Sequence, residues 1–156
     1  MLALLGEACG MKPLDLSTRP PRGPRETLAG IAFMPRTIDK LRAEMPGGNM
    51  GRYLNRPDGM SAVMCKRIGI DMDELRSVVA SAADEDEVAA WLRERVSPEL
   101  AAETSAKLPA LSMDRLPPEF QERVRQNHPV LAQRPELLTF FEIFEADDAA
   151  TFPSGR

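Results

Sequence analysis

The sequence predicts an all-α protein, a compact single-domain bundle of about six or seven helices with a proline-rich N-terminal arm. Three observations carry that expectation. Apolar residues recur mostly three or four apart, the spacing that puts side chains on one helical face. Helix-start signals are frequent, as at Asp71 to Glu74, Asp84 to Glu87 and Ser97-Pro98-Glu99. One Tyr, one Trp and six Phe stand against nine Met, which suits an aliphatic, helix-packed interior and leaves strand-forming runs scarce. A chain of 156 residues suits one domain that buries roughly two thirds of its unfolded surface.

Taken in order, residues 1–10 read as a flexible extension, because Met11 can serve as an internal start, and residues 11–156 as a single helical domain. Residues 11–23 hold three prolines and no periodicity, so Leu14 and Leu16 are expected in an extended arm packed across the domain. Leu28, Ile31, Phe33, Met34, Ile38, Leu41 and Met45 then give a helical stripe over residues 26–45. Pro35 falls inside it and should kink the helix or split it near Met34, since proline lacks an N–H and clashes with the preceding turn. Two dense breakers, residues 46–51 and 55–59, leave Arg52-Tyr53-Leu54 in an ordered loop.

Residues 60–68 read as a short helix closed by Gly69. Asp71 and Asp84 cap two antiparallel helices joined by a tight turn within residues 72–96. Ser97-Pro98 starts another through about Lys107, Pro117-Pro118 one that covers 120–127, and Pro135 a last one carrying Leu137, Leu138, Phe140, Phe141, Ile143 and Phe144. Asp147 and Asp148 then oppose the dipole at its C-terminus.

Charge narrows the function classes. Residues 1–56 carry nine basic and five acidic side chains, +4, while residues 57–156 carry eleven and nineteen, −8. A chain of net charge −4 whose arginines are few and not interleaved with aromatics is a poor match to nucleic acid. No apolar run approaches the eighteen or so residues of a membrane span, and the first residues lack a basic signal-peptide start, so a cytoplasmic protein without membrane contact is expected. Cys9, Cys65 and His128 lie far apart, and the acidic run at 84–87 lacks the glycine and terminal glutamate of a calcium loop. Free thiols, no metal and no cofactor follow. His128, before Pro129 at a helix end, reads as a helix partner rather than a general base.

The polar cluster worth testing lies on the 26–45 helix. Arg36 stands three residues from Asp39 and four from Lys40, so the three share one side of it. One reading is a solvated face with a weak Arg36–Asp39 pair worth about 0.3 to 0.5 kcal/mol. The sharper reading is a metal-free enzyme or binder for a small anionic metabolite. There Arg22, Arg25 and Arg36 hold the anion, Asp39 acts as base or orienter, Lys40 as electrostatic partner, Tyr53 as a hydrogen-bonding lid and Asn55 as a neutral polar contact. The alternative is a non-catalytic interaction module whose basic N-terminal surface docks an acidic partner or another copy of the chain. A pocket containing Arg36 and Asp39 would favour the first, a flat arginine surface the second.

The runs from Leu16 to Gly30, from Met34 to Arg42 and from Gly69 to Asp73 carry a resemblance. They are similar to the bacterial domain-of-unknown-function family five thousand and sixty-nine, most closely from about Leu14 to Leu92 and more weakly over residues 138–148. The resemblance places that family's arginine lead-in and Pro-Arg-x-Ile-Asp-Lys signature on Arg22, Arg25, Pro35, Arg36, Asp39 and Lys40. Where family members tend to show Gly-Glu-Tyr and Asn-Cys-Pro, this chain has Gly51-Arg52-Tyr53 and Asn55-Arg56-Pro57. The resemblance implies no particular activity.

Overall fold

The computed structural model describes residues 10–153. The protein is mostly helical, with seven α-helices among the described residues: α1 (Met34–Glu44), α2 (Met60–Ile68), α3 (Met72–Ser81), α4 (Glu85–Arg95), α5 (Pro98–Lys107), α6 (Pro118–Asn127) and α7 (Phe140–Thr151). Three-residue or four-residue 3-10 turns stand at Leu108–Ala110, Met113–Arg115 and Pro129–Ala132. No described helix is long and apolar enough to cross a membrane. The extension expected at residues 1–10 lies, apart from Gly10, outside the described residues.

Caps explain most of the helix starts. Asp71 accepts from the Asp73 and Glu74 N–H groups, Asp84 from Glu87 and Ser97 from Leu100, each satisfying a donor that the first turn leaves open. Gly69 ends α2 at φ 72°, the left-handed value that costs glycine least.

Two expectations need correction. Residues 26–33 are not helical: β1 (Thr27–Leu28) and β2 (Ile31–Ala32) pair antiparallel around Ala29 and Gly30, both at positive φ. A two-residue loop with both central residues left-handed is the turn whose twist matches a hairpin. Pro35 therefore stands in the first turn of α1, where its missing N–H removes no helical bond, and it kinks nothing. At the other end, α7 starts not at Pro135 but after Thr139, whose hydroxyl accepts from the Glu142 N–H. Asp147 and Asp148 consequently lie within α7, not beyond it.

α1 is the buried axis of the molecule. Nine of its eleven residues are buried, and Met34, Ile38 and Leu41 meet Phe33, Met64, Leu75, Val79, Val88, Leu92 and Phe141 in the main core. α5 closes that core from the side of β2, where the Ser105 hydroxyl accepts from the Ala32 N–H and donates to the Gly30 carbonyl. A second cluster, Met113, Leu131, Leu137 and Ile143, seats α7. A third, Leu16, Ala43 and Tyr53, holds the 46–59 loop against the far end of α1. Leu14 and Leu16 reach it through backbone bonds to Arg42 and Asn49. Gly51 shapes that loop: it has φ 57°, and a Cβ there would stand 2.5 Å from the Leu16 carbonyl oxygen.

Candidate functional site

A helix so deeply buried should carry apolar side chains, yet α1 buries Arg36, Asp39 and Lys40 at 4%, 5% and 8% exposure. Burying charge costs several kcal/mol per group unless it is paired, so each partner matters. Arg36 makes a bidentate pair with Asp148 of α7, at 2.7 and 3.1 Å, and donates to the Arg22 carbonyl at 3.1 Å. Asp148 also accepts from the Tyr53 hydroxyl at 2.8 Å. Burial first, and then that bond, push the Tyr53 phenol well above its ordinary pKa. The Arg36 guanidinium lies over the rings of Phe33, Tyr53 and Phe144, 5.5 to 5.9 Å from their centroids, an arrangement that attracts a desolvated cation.

Asp39 belongs to a different pair. It accepts from the Arg22 backbone N–H at 2.8 Å and from that guanidinium at 2.9 to 3.2 Å, while the other arm of Arg22 reaches Glu85 of α4 at 2.9 Å. Burial alone would lower the Arg22 pKa, but the bonds to the two carboxylates raise it overall.

Lys40 has no carboxylate within ion-pair distance among the described residues. Its amine donates at 3.3 Å to the Leu54 carbonyl and sits 5.7 Å from the Phe33 ring centroid. Burial, and then the neighbouring Arg36, lower its pKa to about 7.

Arg36 and Lys40 form the floor of a cavity of about 530 Å³, walled by α2, α6, α7 and the 52–59 loop. That is the size of a metabolite site. Phe33, Leu111, Leu116, Phe140 and Phe144 make its walls apolar, and seven Lys or Arg side chains line it against two Asp. Arg52 pairs with Asp147, and Arg56 and Arg123 share Asp58. Arg67 and Arg115 make no ion pair among the described residues. Gly59, Met60 and Ser61 put the start of α2 on the wall, a terminus that no side chain caps. Uncapped helix N–H groups and surplus guanidinium are both donors for an anion. His128 lines the same space, with Nδ1 3.3 Å from Asp147 Oδ2.

Phe33, part of the cavity wall, sits at φ 72°. An aromatic residue in the left-handed region is strained by about 1 kcal/mol or more and persists only where its surroundings hold it. Here its ring stacks on Phe141 at 5.7 Å. The backbone is thus bent to carry the ring beneath both α1 cations.

Comparison with protein families decides the kinship, since the model of the family described as Domain of unknown function (DUF5069) matches residues 18–150. The chain belongs to the DUF5069 family. No curated protein matches it.

Within this DUF5069 chain the residues expected to form one site divide into three groups. Arg36, Lys40 and Tyr53 come together at the cavity. Buried Asp39 and half-buried Arg22 form a pair that does not line it, and the Arg36–Asp39 surface pair expected from their spacing does not exist. Arg25 is exposed, bonds Glu145 at 2.9 and 3.1 Å and does not line the cavity. Asn55 lies outside the lining and donates to Glu44 at 2.8 Å, while its buried Oδ1 has no partner among the described residues. The Tyr53 hydroxyl, expected as a hydrogen-bonding lid, donates to Asp148. Sequence reasoning missed Arg67, Arg115 and Arg123 as cavity residues and took His128, Asp147 and Asp148 for helix-end features. The signal available is weak: Arg67, Arg115 and Arg123 follow no shared spacing and come from three separate elements, α2, the Met113–Arg115 turn and α6.

Proposed function

We propose that this protein binds a small anionic metabolite in the cavity above Arg36 and Lys40. The observation that carries the reading is that Arg67 and Arg115 line the cavity with no ion pair among the described residues while Arg56 and Arg123 share the single carboxylate of Asp58, in a chain whose net charge is −4. Unbalanced cations in a concave, apolar-walled space repel one another, and an anion removes that repulsion while gaining charge-assisted hydrogen bonds. Arg67 and Arg115 are the unpaired side-chain donors among the described residues, the start of α2 contributes backbone N–H groups, and Arg36, already bound to Asp148, sets the field at the floor. Arg22 and Asp39 act indirectly by fixing α1 against the 20–26 segment. The reading keeps the expected cytoplasmic setting, where small phosphorylated and carboxylated compounds are abundant.

Thermal unfolding with a panel of anions tests it. A ligand at a hundred times its Kd adds about 2.7 kcal/mol, which raises the midpoint of a chain of this size by roughly 5 to 10 °C. Phosphate esters or carboxylates are expected to do this, and Arg67→Gln combined with Arg115→Gln should abolish most of the gain while leaving the unliganded midpoint unchanged or higher. Absence of protection by every anion at millimolar concentration would transfer the arginine-rich rim to docking of an acidic protein partner.

A further inference from the structure

Lys40 is the group at this site that anion binding alone does not explain. It is more than nine-tenths buried, it lines the cavity, and its amine has one hydrogen bond among the described residues, the 3.3 Å contact to the Leu54 carbonyl. A lysine retained to attract an anion electrostatically is best left solvated or beside a carboxylate, where it stays charged. Lys40 has neither. Arg36, four residues earlier on the same face of α1, is a second cation beside it, and Phe33 closes off its lower side. A desolvated lysine next to another cation is the arrangement that makes an amine a nucleophile.

We propose that the Lys40 amine condenses with the carbonyl group of a small anionic carbonyl compound, an α-keto acid or a phosphorylated ketone or aldehyde, and holds it in the cavity as an imine. This rests on the anion-binding reading and names the class of ligand. The Nζ lone pair attacks the carbonyl carbon, the carbon–oxygen π bond opens, and a proton passes from nitrogen to oxygen to give a carbinolamine. Loss of that hydroxyl as water, with the second nitrogen proton, leaves the C=N bond, so no oxidant or reductant is consumed. With a pKa lowered by burial and by Arg36 to about 7, the amine is substantially free base at neutral pH, as the attack requires. Arg67, Arg115 and the open start of α2 would hold the anionic group while the carbonyl reaches the floor.

Borohydride trapping tests the assignment on the full chain. The protein is incubated with pyruvate, with dihydroxyacetone phosphate, or with acetone as a neutral control, then reduced and mapped by peptide mass. The sequence has four lysines, Lys12, Lys40, Lys66 and Lys107, so the site of modification is unambiguous. One adduct per chain on Lys40, formed with at least one anionic carbonyl, absent with acetone and suppressed by excess inorganic phosphate or sulfate, is the expected result. Lys40→Met should give none. Because suppression is measured on the wild-type chain, the test does not depend on how well that variant folds. Which compound reacts separates a carboxylate from a phosphate ligand. Adducts spread over Lys12, Lys66 and Lys107, or no adduct at all, would overturn the imine. If phosphate still protects against heating in that case, anion binding stands without it, and if nothing protects, both readings fail.

Discussion

Replacing Lys40 by Met tests whether α1 really holds a desolvated amine. Lys40 is 8% exposed, its pKa is lowered from 10.5 to about 7, and burial is the leading cause. A drop of that size corresponds to about 5 kcal/mol of penalty on the charged form in the fold, at about 1.4 kcal/mol per pH unit. The sign follows from proton counts. Between the folded and unfolded values the unfolded chain binds the proton and the folded one does not, so stability rises with pH across that window. Below about pH 7 both states are charged and the penalty is complete, while above 10.5 both are neutral and it vanishes. Between about pH 7.5 and 9.5 the wild type should therefore gain roughly 2 to 3 kcal/mol relative to Lys40→Met, whose thioether fills similar space without titrating. The other charges facing the amine, Arg36 and Glu44 on α1, Asp148 on α7 and the Cys65 thiol on α2, are present in both proteins and largely cancel in the difference. Urea unfolding of the pair at several pH values gives it directly, with the variant the more stable at neutral pH. Parallel stability curves would refute the reasoning, because they would mean that Lys40 is charged and well solvated in the fold.

Asp39→Asn should lower stability by about 2 to 3 kcal/mol, since it weakens every bond that Arg22 makes to Asp39 and leaves that half-buried cation with Glu85 as its one carboxylate; urea unfolding measures it. The same substitution should reduce anion protection far less than loss of Arg67 and Arg115, because Asp39 does not line the cavity and acts only through α1. Gly51→Ala should cost more than about 2 kcal/mol, as its Cβ would meet the Leu16 carbonyl at 2.5 Å on a positive-φ backbone, and a thermal midpoint within a degree or so of wild type would contradict this.

The parts of the fold that are legible in the sequence are those set by local chemistry. Asp71, Asp84 and Ser97 are read correctly as caps because a cap binds N–H groups two or three residues away, within the span of a motif. The 27–32 hairpin is missed because strands of two residues are too short to display an alternating pattern, and Leu28, Ile31 and Met34 happen to stand three residues apart. The Thr139 cap, with Glu142 three residues on, was present in the sequence and was overshadowed by Pro135.

For the candidate site, spacing points to three α1 side chains that the fold buries, but it does not give their partners. Spacing suggests Arg36 with Asp39, whereas the fold gives Arg36 a partner 112 residues away and Asp39 one 17 residues away. A buried cation takes whichever carboxylate tertiary packing brings to it, and a local weak pair cannot compete with a bidentate one. The cavity is illegible for the same reason: its floor comes from α1, its wall from α2 and α6, and its back from α7.

Calorimetric titration of the cavity with pyruvate and with dihydroxyacetone phosphate, on wild type and on the Arg67→Gln, Arg115→Gln double variant, tests anion binding most directly. The expected result is one site per chain for at least one of them, with affinity that falls as salt rises and drops tenfold or more, about 1.4 kcal/mol or more, in the double variant. Absence of binding heat for both compounds at two temperatures, or an affinity unchanged by loss of both arginines, would contradict it.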